Sequence, residues 1–346
     1  MYSWLMKSHL VLMYILTFLF SGSVSAADSM IRPRHVAVVV NMAEANSLEI
    51  GQYYLKARGI PADNLIRVNL PGSPRKLTVE QFHQLKQQID VKLNPDIQVI
   101  VLVWTAPYAV ECNAITAALT LGFDAGQCNK TCSPGKLSRY FDSSSKRPSD
   151  LGMRLSMLMP TESVEGAKSL IDRGVLSGFT VNDASAYFLI TSDKQRNSRA
   201  EFFPKSGNIP QKRLQINTLQ ADSIQQKKDI MFYQTGLVSV PKLETLGFLP
   251  GALADHLTSA GGDLLGTGQM SSLKWLEAGA TASYGTVSEP CNYWQKFPNS
   301  MVLLKHYLLG ESAVEAYWKS VAWPAQGVFI GEPLAAPYCR SCALQD

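Results

Sequence analysis

The sequence has 346 residues, of which 46% are hydrophobic and 17% are charged. Soluble domains carry about 25% charged residues, so this charge-poor composition argues against a disordered chain, which needs high charge and low hydrophobicity. The 32 basic and 28 acidic residues leave a net charge of only +4, without a run of five like charges, and this argues against a nucleic-acid partner.

The N-terminal segment has the three parts of a secretory signal peptide. Lys7 is the only charged residue before Asp28, residues 10–20 are almost wholly apolar, and residues 24–26 (Val-Ser-Ala) supply the small side chains of a cleavage site. The apolar stretch is short for a membrane span, and an uncleaved membrane anchor is the alternative. We expect cleavage after Ala26 and export to the periplasm or the extracellular space, without membrane attachment of the mature chain.

Apolar runs alternate with amphipathic segments in the first part of the mature chain. Thr78 and Gln81 have the spacing of a capping box at the start of a helix, and Gly59 suits a helix end because glycine adopts the left-handed conformation there. Short, continuous apolar strands between helices are typical of a parallel sheet that is covered on both faces. We therefore predict strands at residues 36–40, 65–70 and 97–104, and helices at residues 48–58 and 79–93.

Residues 105–160 interrupt this alternation, because Gly, Cys, Ser and Pro are frequent there. We interpret the segment as a loop-rich insertion with one short helix at residues 114–121. The pattern as a whole predicts a single α/β domain over residues 27–338, with a doubly wound, mostly parallel sheet and helices on both faces, and a C-terminal tail at 339–346. Beyond the insertion, the predicted elements are strands at residues 186–191, 229–233 and 280–285, a polar loop at 192–210, and helices at 164–176, 253–260, 273–278, 301–309 and 314–321.

Polar side chains follow the carboxyl ends of the predicted strands. In open parallel sheets ligands bind beyond these ends, so the polar set forms the expected ligand face. The alternative is purely structural, because loops begin at strand ends and need polar residues for that reason alone. The ligand-face residues are Asn41, Thr105, Gln234, Thr235, Ser288 and Glu289.

The chain has six cysteines, an even number that suits disulfide bonding in an exported protein. Short spacings favour the local bonds Cys128–Cys132 and Cys339–Cys342. Cys112 and Cys291 then remain, either bonded to each other or with Cys291 as a free thiol. A zinc site would need two cysteine pairs to come together, and the sequence has no nucleotide-binding or zinc-peptidase motif, so we expect neither a metal nor a cofactor.

Several long segments are distinctive: YYLKARGIP at 53–61, GALADHLTSAGG at 251–262, WLEAGATASYGTVSEPC at 275–291, AYWKSVAWP at 316–324 and FIGEPL at 329–334. Together they resemble an uncharacterised family of exported bacterial proteins that accompanies exosortase. Exosortase is the membrane enzyme that sorts surface proteins linked to exopolysaccharide and biofilm production. The resemblance implies that the partners are exopolysaccharide or exosortase-sorted surface proteins.

Residues 276–285 and the Gly-Glu-Pro turn at 331–333 resemble the Gly-Ala strand and the terminal Gly-Asp-Pro turn of gingipain-like, caspase-fold cysteine peptidases. In those peptidases one strand ends in His-Gly and the next ends in the nucleophilic Cys. Here residues 234–236 (Gln-Thr-Gly) stand where His-Gly would be, and residues 246–251 stand where the Cys would be. The resemblance therefore implies a caspase-like fold from which the usual catalytic dyad is missing.

Two functions remain open. The first is a non-catalytic exported protein that acts in surface-protein sorting or in exopolysaccharide and biofilm production. The second is a cysteine hydrolase with Cys291 as the nucleophile and His256 as the base. A thiol with a pKa of about 8.5 needs a base or a nearby positive charge to react at neutral pH. A free Cys291 would favour the hydrolase, and a disulfide-bonded Cys291 would favour the non-catalytic protein.

Overall fold

The computed structural model describes residues 30–70, 72, 74–178, 183–339 and 342. The predicted signal peptide and most of the predicted C-terminal tail lie outside these residues. Within them, no helix combines the length and the apolar character that crossing a membrane requires.

Among the described residues, eleven strands form one large sheet, and three short strands form a second, small sheet. The strands are β1 Val36–Asn41, β2 Leu65–Val68, β3 Lys76–Leu77, β4 Val99–Val103, β5 Ala109–Val110, β6 Asn113–Ala114, β7 Leu155–Met159, β8 Ala184–Ile190, β9 Gly207–Ile209, β10 Leu214–Gln220, β11 Ile230–Thr235, β12 Phe248–His256, β13 Ala282–Thr286 and β14 Gly327–Gly331. The helices are α1 Ala45–Arg58, α2 Val79–Asp90, α3 Ile115–Leu121, α4 Ala125–Asn129, α5 Val164–Leu176, α6 Leu273–Glu277, α7 Ser300–Leu308 and α8 Ala313–Ser320.

The large sheet has the order β2-β1-β4-β7-β14-β13-β12-β11-β8-β10-β9, and β3, β5 and β6 form the small one. Pairing is parallel from β2 to β14 and again from β13 to β10. Antiparallel pairing joins β14 to β13 and β9 to β10. The predicted fold class, an α/β fold with a mostly parallel central sheet flanked by helices, is confirmed.

Local sequence signals set the bounds of the first elements. Every residue of β1, β4 and β7 is buried, as expected for continuous apolar strands whose two faces are both covered. Thr78 and Gln81 form the predicted capping box of α2, in which the Gln81 amide donates to Oγ1 of Thr78 at 3.2 Å. Gly59 ends α1 in the left-handed conformation, with φ of +63°, which glycine adopts without steric cost.

The predicted helix at residues 253–260 is wrong, because residues up to His256 belong to β12. This strand pairs with β11 on one side and with β13 on the other. Small residues such as Ala252 and Ala254 favour a helix in isolation. Pairing with two neighbouring strands overrides that local preference.

The segment 105–160 contains more regular structure than the predicted loop-rich insertion. Its last part forms β7, which lies between β4 and β14 in the large sheet. The predicted short helix is present as α3, and β5, β6 and α4 accompany it. The sequence interpretation also missed β10 and β14, so the sheet is wider than the predicted strands implied.

Candidate functional site

The loops that follow β4, β12 and β13 meet at one edge of the large sheet. Tyr108, after β4, donates its hydroxyl proton to Oδ1 of Asp263, after β12. Ser288, after β13, donates to the carbonyl oxygen of Cys112 at 2.7 Å. Parallel strands place their carboxyl ends at the same edge, so this is the edge to which the predicted ligand-face residues belong.

Asn41 and Thr105 hold strand ends and loops together. Oδ1 of Asn41 accepts from the amide of Leu70 at 2.9 Å, and its Nδ2 donates to the Leu70 carbonyl at 3.3 Å. Oγ1 of Thr105 accepts from the amide of Thr161 at 2.9 Å. Both side chains are buried, so the structural interpretation accounts for their polarity.

Ser288 and Glu289 lie on the loop after β13. Besides donating to Cys112, Oγ of Ser288 accepts from Nε2 of Gln326 at 2.8 Å. Oε1 of Glu289 accepts from the amide of Cys291 at 2.8 Å. Glu289 is the exposed member of the six predicted ligand-face residues, which makes its carboxylate the one open to solvent.

A buried ion pair fills the carboxyl ends of β11 and β12. Arg199 and Asp255 are 1% and 0% exposed, and Nη1 of Arg199 donates to Oδ1 of Asp255 at 2.5 Å. Nη2 of Arg199 donates to the carbonyl of Thr235 at 2.9 Å. Gln234 donates through Nε2 to the other carboxylate oxygen of Asp255, also at 2.9 Å. A buried charge pair with these additional hydrogen bonds fixes the two strand ends relative to each other.

Sequence reasoning missed both members of this ion pair. Asp255 lies in the segment 253–260, for which the sequence predicts a helix. Arg199 lies in the polar segment 192–210, and basic residues of such loops are ordinarily exposed. A signal for the pair would have required the knowledge that β12 is a strand.

His256 is fixed as a neutral imidazole. Nε1 of Trp275 donates to Nδ1 of His256 at 3.0 Å, and an indole N–H is only a donor, so this ring nitrogen carries no proton. The other nitrogen, Nε2, then donates to the carbonyl of Met270, at 3.1 Å. Burial, helped by the positive charge of Arg199, lowers the pKa of His256 to about 3. Both ring nitrogens are engaged, and neither is directed at a cysteine.

The resemblance to gingipain-like peptidases implies that a dyad would lie at the ends of two neighbouring strands, here β11 and β12. Thr235 and His256 are register neighbours there. Residues 246–251, which the sequence comparison equated with the cysteine position, lie before and at the start of β12 rather than at its end, so that assignment is wrong. The carboxyl end of the strand and the next residues are Asp-His-Leu-Thr, at 255–258, and they include no cysteine.

The disulfide pattern differs from the predicted one. The structure pairs Cys112 with Cys128 and Cys132 with Cys291, and it contains the predicted bond Cys339–Cys342. The predicted bonds Cys128–Cys132 and Cys112–Cys291 are wrong, because Cys128 lies in α4, whereas Cys132 lies beyond the end of that helix and reaches a different loop. All six cysteines are described and none is free, so Cys291 has no thiol in this state. Three disulfides fit an exported protein.

The Cys132–Cys291 bond lies beside two charged residues. One carboxylate oxygen of Glu289 and the two sulfurs all lie within 4.8 Å of one another. Lys296 is buried and donates through Nζ to the carbonyl of Thr131, the residue before Cys132, at 2.6 Å. Burial lowers the pKa of Lys296 to about 8, against the opposing effect of the Glu289 carboxylate.

Four partly exposed aromatic side chains, which we call the aromatic pairs, lie on this and the neighbouring loops. The rings of Phe202 and Trp294 are 4.5 Å apart, and those of Tyr293 and Trp323 are 5.5 Å apart. Trp275 and Trp318, by contrast, are fully buried in the core. The tryptophans of the C-terminal third therefore divide into core residues and residues with accessible ring surface.

Searches with the sequence gave no match to a protein-family model and none to a curated protein. Two solved structures match by fold. One, titled "Structure of Protease", has a TM-score of 0.50 and 10% identity, covering 89% of this chain and 79% of that chain. The other, the Arg-specific cysteine proteinase gingipain R, has a TM-score of 0.47 and 12% identity, covering 88% and 78%. At such identities the first match shows a shared fold and says nothing about activity.

Proposed function

We propose that this is an exported, non-catalytic protein with a caspase-like fold that acts by binding, in exosortase-linked surface-protein sorting or in exopolysaccharide and biofilm production. The observation that carries the proposal is the chemistry at the ends of β11 and β12. Covalent catalysis by a thiol needs a nucleophile and a base within hydrogen-bond reach. These strand ends instead hold the Arg199–Asp255 ion pair and a neutral His256 with both nitrogens engaged.

A substrate assay tests the non-catalytic part. We expect the disulfide-intact protein to leave a panel of fluorogenic peptides uncut, with Arg, Lys, Asp or apolar residues before the scissile bond. The same panel is then offered to the protein after mild reduction. Hydrolysis that disappears in Cys291→Ser and persists in Cys112→Ser would overturn the proposal and establish the cysteine hydrolase in its place.

The hydrolase remains the second candidate because a lysine contacts the residue next to Cys132, the disulfide partner of Cys291. An ammonium group next to a thiol lowers the thiol pKa and favours the reactive thiolate. Lys296 donates to the carbonyl of Thr131, the residue before Cys132. This candidate requires release of the Cys132–Cys291 bond and a base other than His256. Rapid alkylation of Cys291 in the untreated protein would support it, whereas labelling only after reduction supports the binding function.

The aromatic pairs support exopolysaccharide as a partner. Tyrosine and tryptophan rings offer an apolar face together with a polar edge, a combination that suits the faces and hydroxyl groups of sugar rings. We expect alginate or a soluble cellulose oligosaccharide, included in a native gel, to slow migration of the wild-type protein. Trp294→Ala and Trp323→Ala should reduce this shift, and Trp294→Phe, the matched control, should retain most of it. No retardation of the wild type by either saccharide would contradict a sugar partner.

A further inference from the structure

The Cys132–Cys291 bond and Glu289 form a compact group of three potential metal ligands. Their sulfur and carboxylate oxygen atoms lie within 4.8 Å of one another. Zinc binds thiolate sulfur at about 2.3 Å and carboxylate oxygen at about 2.1 Å, so three ligands of a tetrahedral zinc ion lie about 3.5–3.8 Å apart. Opening the S–S bond would therefore have to let the two sulfurs separate from about 2.0 Å to about 3.8 Å, with the Glu289 oxygen already nearby.

We propose that Cys132, Glu289 and Cys291 form a zinc site when a dithiol reductant opens the Cys132–Cys291 bond. The dithiol gives two electrons and two protons, the S–S bond breaks into two thiols, and the reductant leaves as its own disulfide. Zinc then displaces the two thiol protons and binds both thiolates and the carboxylate, with solvent in the fourth position. Two sulfurs and one oxygen are a ligand set that Zn²⁺ accepts.

Two contacts prepare the group for this role. The amide of Cys291 donates to Oε1 of Glu289 at 2.8 Å, and such a hydrogen bond orients a ligating carboxylate and leaves its second oxygen for the metal. The ammonium of Lys296 donates to the carbonyl before Cys132, and a nearby positive charge favours the thiolate over the thiol. Glu289 is exposed and both cysteines are half-exposed, so the ion and the reductant have access.

A zinc ion at this site would join the same two chain segments as the disulfide. Cys132 belongs to the insertion, and Cys291 to the loop after β13, 159 residues further along the chain. The disulfide joins the two covalently under oxidising conditions. A bound zinc ion would maintain the same connection under reducing conditions, so the two states differ in chemistry and share the same chain path.

The test uses the wild-type protein, reduced with a phosphine and held without oxygen. One equivalent of Zn²⁺ is added, free thiols are alkylated, and each cysteine is quantified by mass spectrometry. We expect zinc to protect Cys132 and Cys291 at least tenfold and to leave the other four cysteines labelled, with the circular-dichroism spectrum unchanged. Protection of Cys339 and Cys342 instead, no protection at all, or loss of the folded spectrum on reduction would each overturn the proposal.

Glu289→Gln separates a built site from two accidental thiols. The side chain is exposed, so the substitution leaves folding intact. Replacing a carboxylate ligand by an amide should weaken zinc binding by about tenfold or more, measured by competition with a chromogenic chelator. Glu277→Gln, at another exposed carboxylate, is the control and should bind as wild type. Equal affinities for the two variants would remove Glu289 from the site and refute the proposed ligand set.

Discussion

Burial limits which charged residues can lie at the ends of β11 and β12. A carboxylate such as Asp255, 0% exposed, is tolerated only with a partner, because an isolated buried charge costs several kcal/mol. Arg199 supplies that partner and also donates to the Thr235 carbonyl. His256 is also buried, and it avoids the cost of a buried charge because its imidazole is neutral. The charges of Arg199 and Asp255 thus compensate each other, whereas Nε of Arg199, Oε1 of Gln234 and Oγ1 of Thr235 are buried without a hydrogen-bond partner among the described residues.

Removing one member of the ion pair should be costly. We expect Arg199→Met to lower the free energy of unfolding by about 3–5 kcal/mol, because Asp255 is left buried without its countercharge. Urea denaturation at neutral pH measures the loss. The double variant Arg199→Met/Asp255→Leu should recover much of it, since an apolar pair of similar volume carries no uncompensated charge.

The control is Arg213→Met, whose partner Asp183 is exposed. Solvent screens an exposed pair, which contributes little to stability, so this variant should unfold near the wild-type denaturant midpoint. Equal losses for Arg199→Met and Arg213→Met would contradict a specific role of the buried pair.

Gly174 is required by close packing against Glu332. A Cβ atom at this position would lie 2.2 Å from Oε2 of Glu332, and that carboxylate is already fixed by Arg58 at 2.6 Å and by the Tyr54 hydroxyl at 2.8 Å. We expect Gly174→Ala to destabilise the protein by about 1–3 kcal/mol, as overpacking does. Thermal unfolding measures the effect, and Gly268→Ala, where nothing lies within 4 Å, should be nearly neutral. A neutral Gly174→Ala would mean that Glu332 moves freely.

At the scale of elements, the sequence predicted those whose signals are local. The apolar run of β1, the capping box of α2 and the glycine end of α1 each depend on residues a few positions apart, and the structure has them all. β12 could not be predicted, because its segment of small residues becomes a strand only through pairing with β11 and β13. The same holds for the site: Asn41 and Thr235 follow strand ends visible in the sequence, whereas Arg199 meets Asp255 through a contact 56 residues apart.

The loop between α7 and α8 should give the protein a characteristic acid sensitivity. Burial raises the pKa of Glu311, but a 3.0 Å contact with Nδ1 of His306 and hydrogen bonds from Lys146 and Lys319 outweigh it and lower this pKa to about 2, from an ordinary value of 4.5. A depressed folded-state pKa adds stability above pH 4.5, which is lost as the pH falls towards 2. The shift corresponds to about 3 kcal/mol.

We therefore expect Glu311→Gln to lower the free energy of unfolding by about 3 kcal/mol at pH 7, and the difference from wild type to shrink between pH 5 and pH 2. Urea titrations at pH 7, 5 and 3 measure the trend. Glu277→Gln, whose carboxylate is exposed, serves as control and should show no such pH dependence. A difference that is as large at pH 3 as at pH 7 would rule out this role of the Glu311 charge.

At the scale of the whole molecule, cysteine pairing decides which parts of the chain are joined. The even number of cysteines predicted that they form disulfides, and the disulfide with the longest sequence separation does include Cys291. The partner of Cys291 could not be predicted from spacing. Cys128 and Cys132 are close in sequence, but Cys128 lies in α4 and bonds to Cys112, whereas Cys132 follows α4 and bonds to Cys291. Cys112–Cys128 closes a loop within the insertion, and Cys132–Cys291 joins the insertion to the loop after β13.

The two disulfide bonds should differ in their contribution to stability. The Cys132–Cys291 bond spans 159 residues and the Cys112–Cys128 bond spans 16, and the loop-entropy model assigns about 5 and about 3 kcal/mol to closures of these lengths. We expect Cys132→Ser and Cys291→Ser to lower the melting temperature equally and most strongly, and Cys112→Ser and Cys128→Ser to form a second, milder pair. Thermal unfolding under non-reducing conditions, with thiol counting to verify one free partner in each variant, measures this. If Cys112→Ser instead matched Cys291→Ser, and Cys132→Ser matched Cys128→Ser, the bonds would follow the sequence-based pairing and the attachment described here would be refuted.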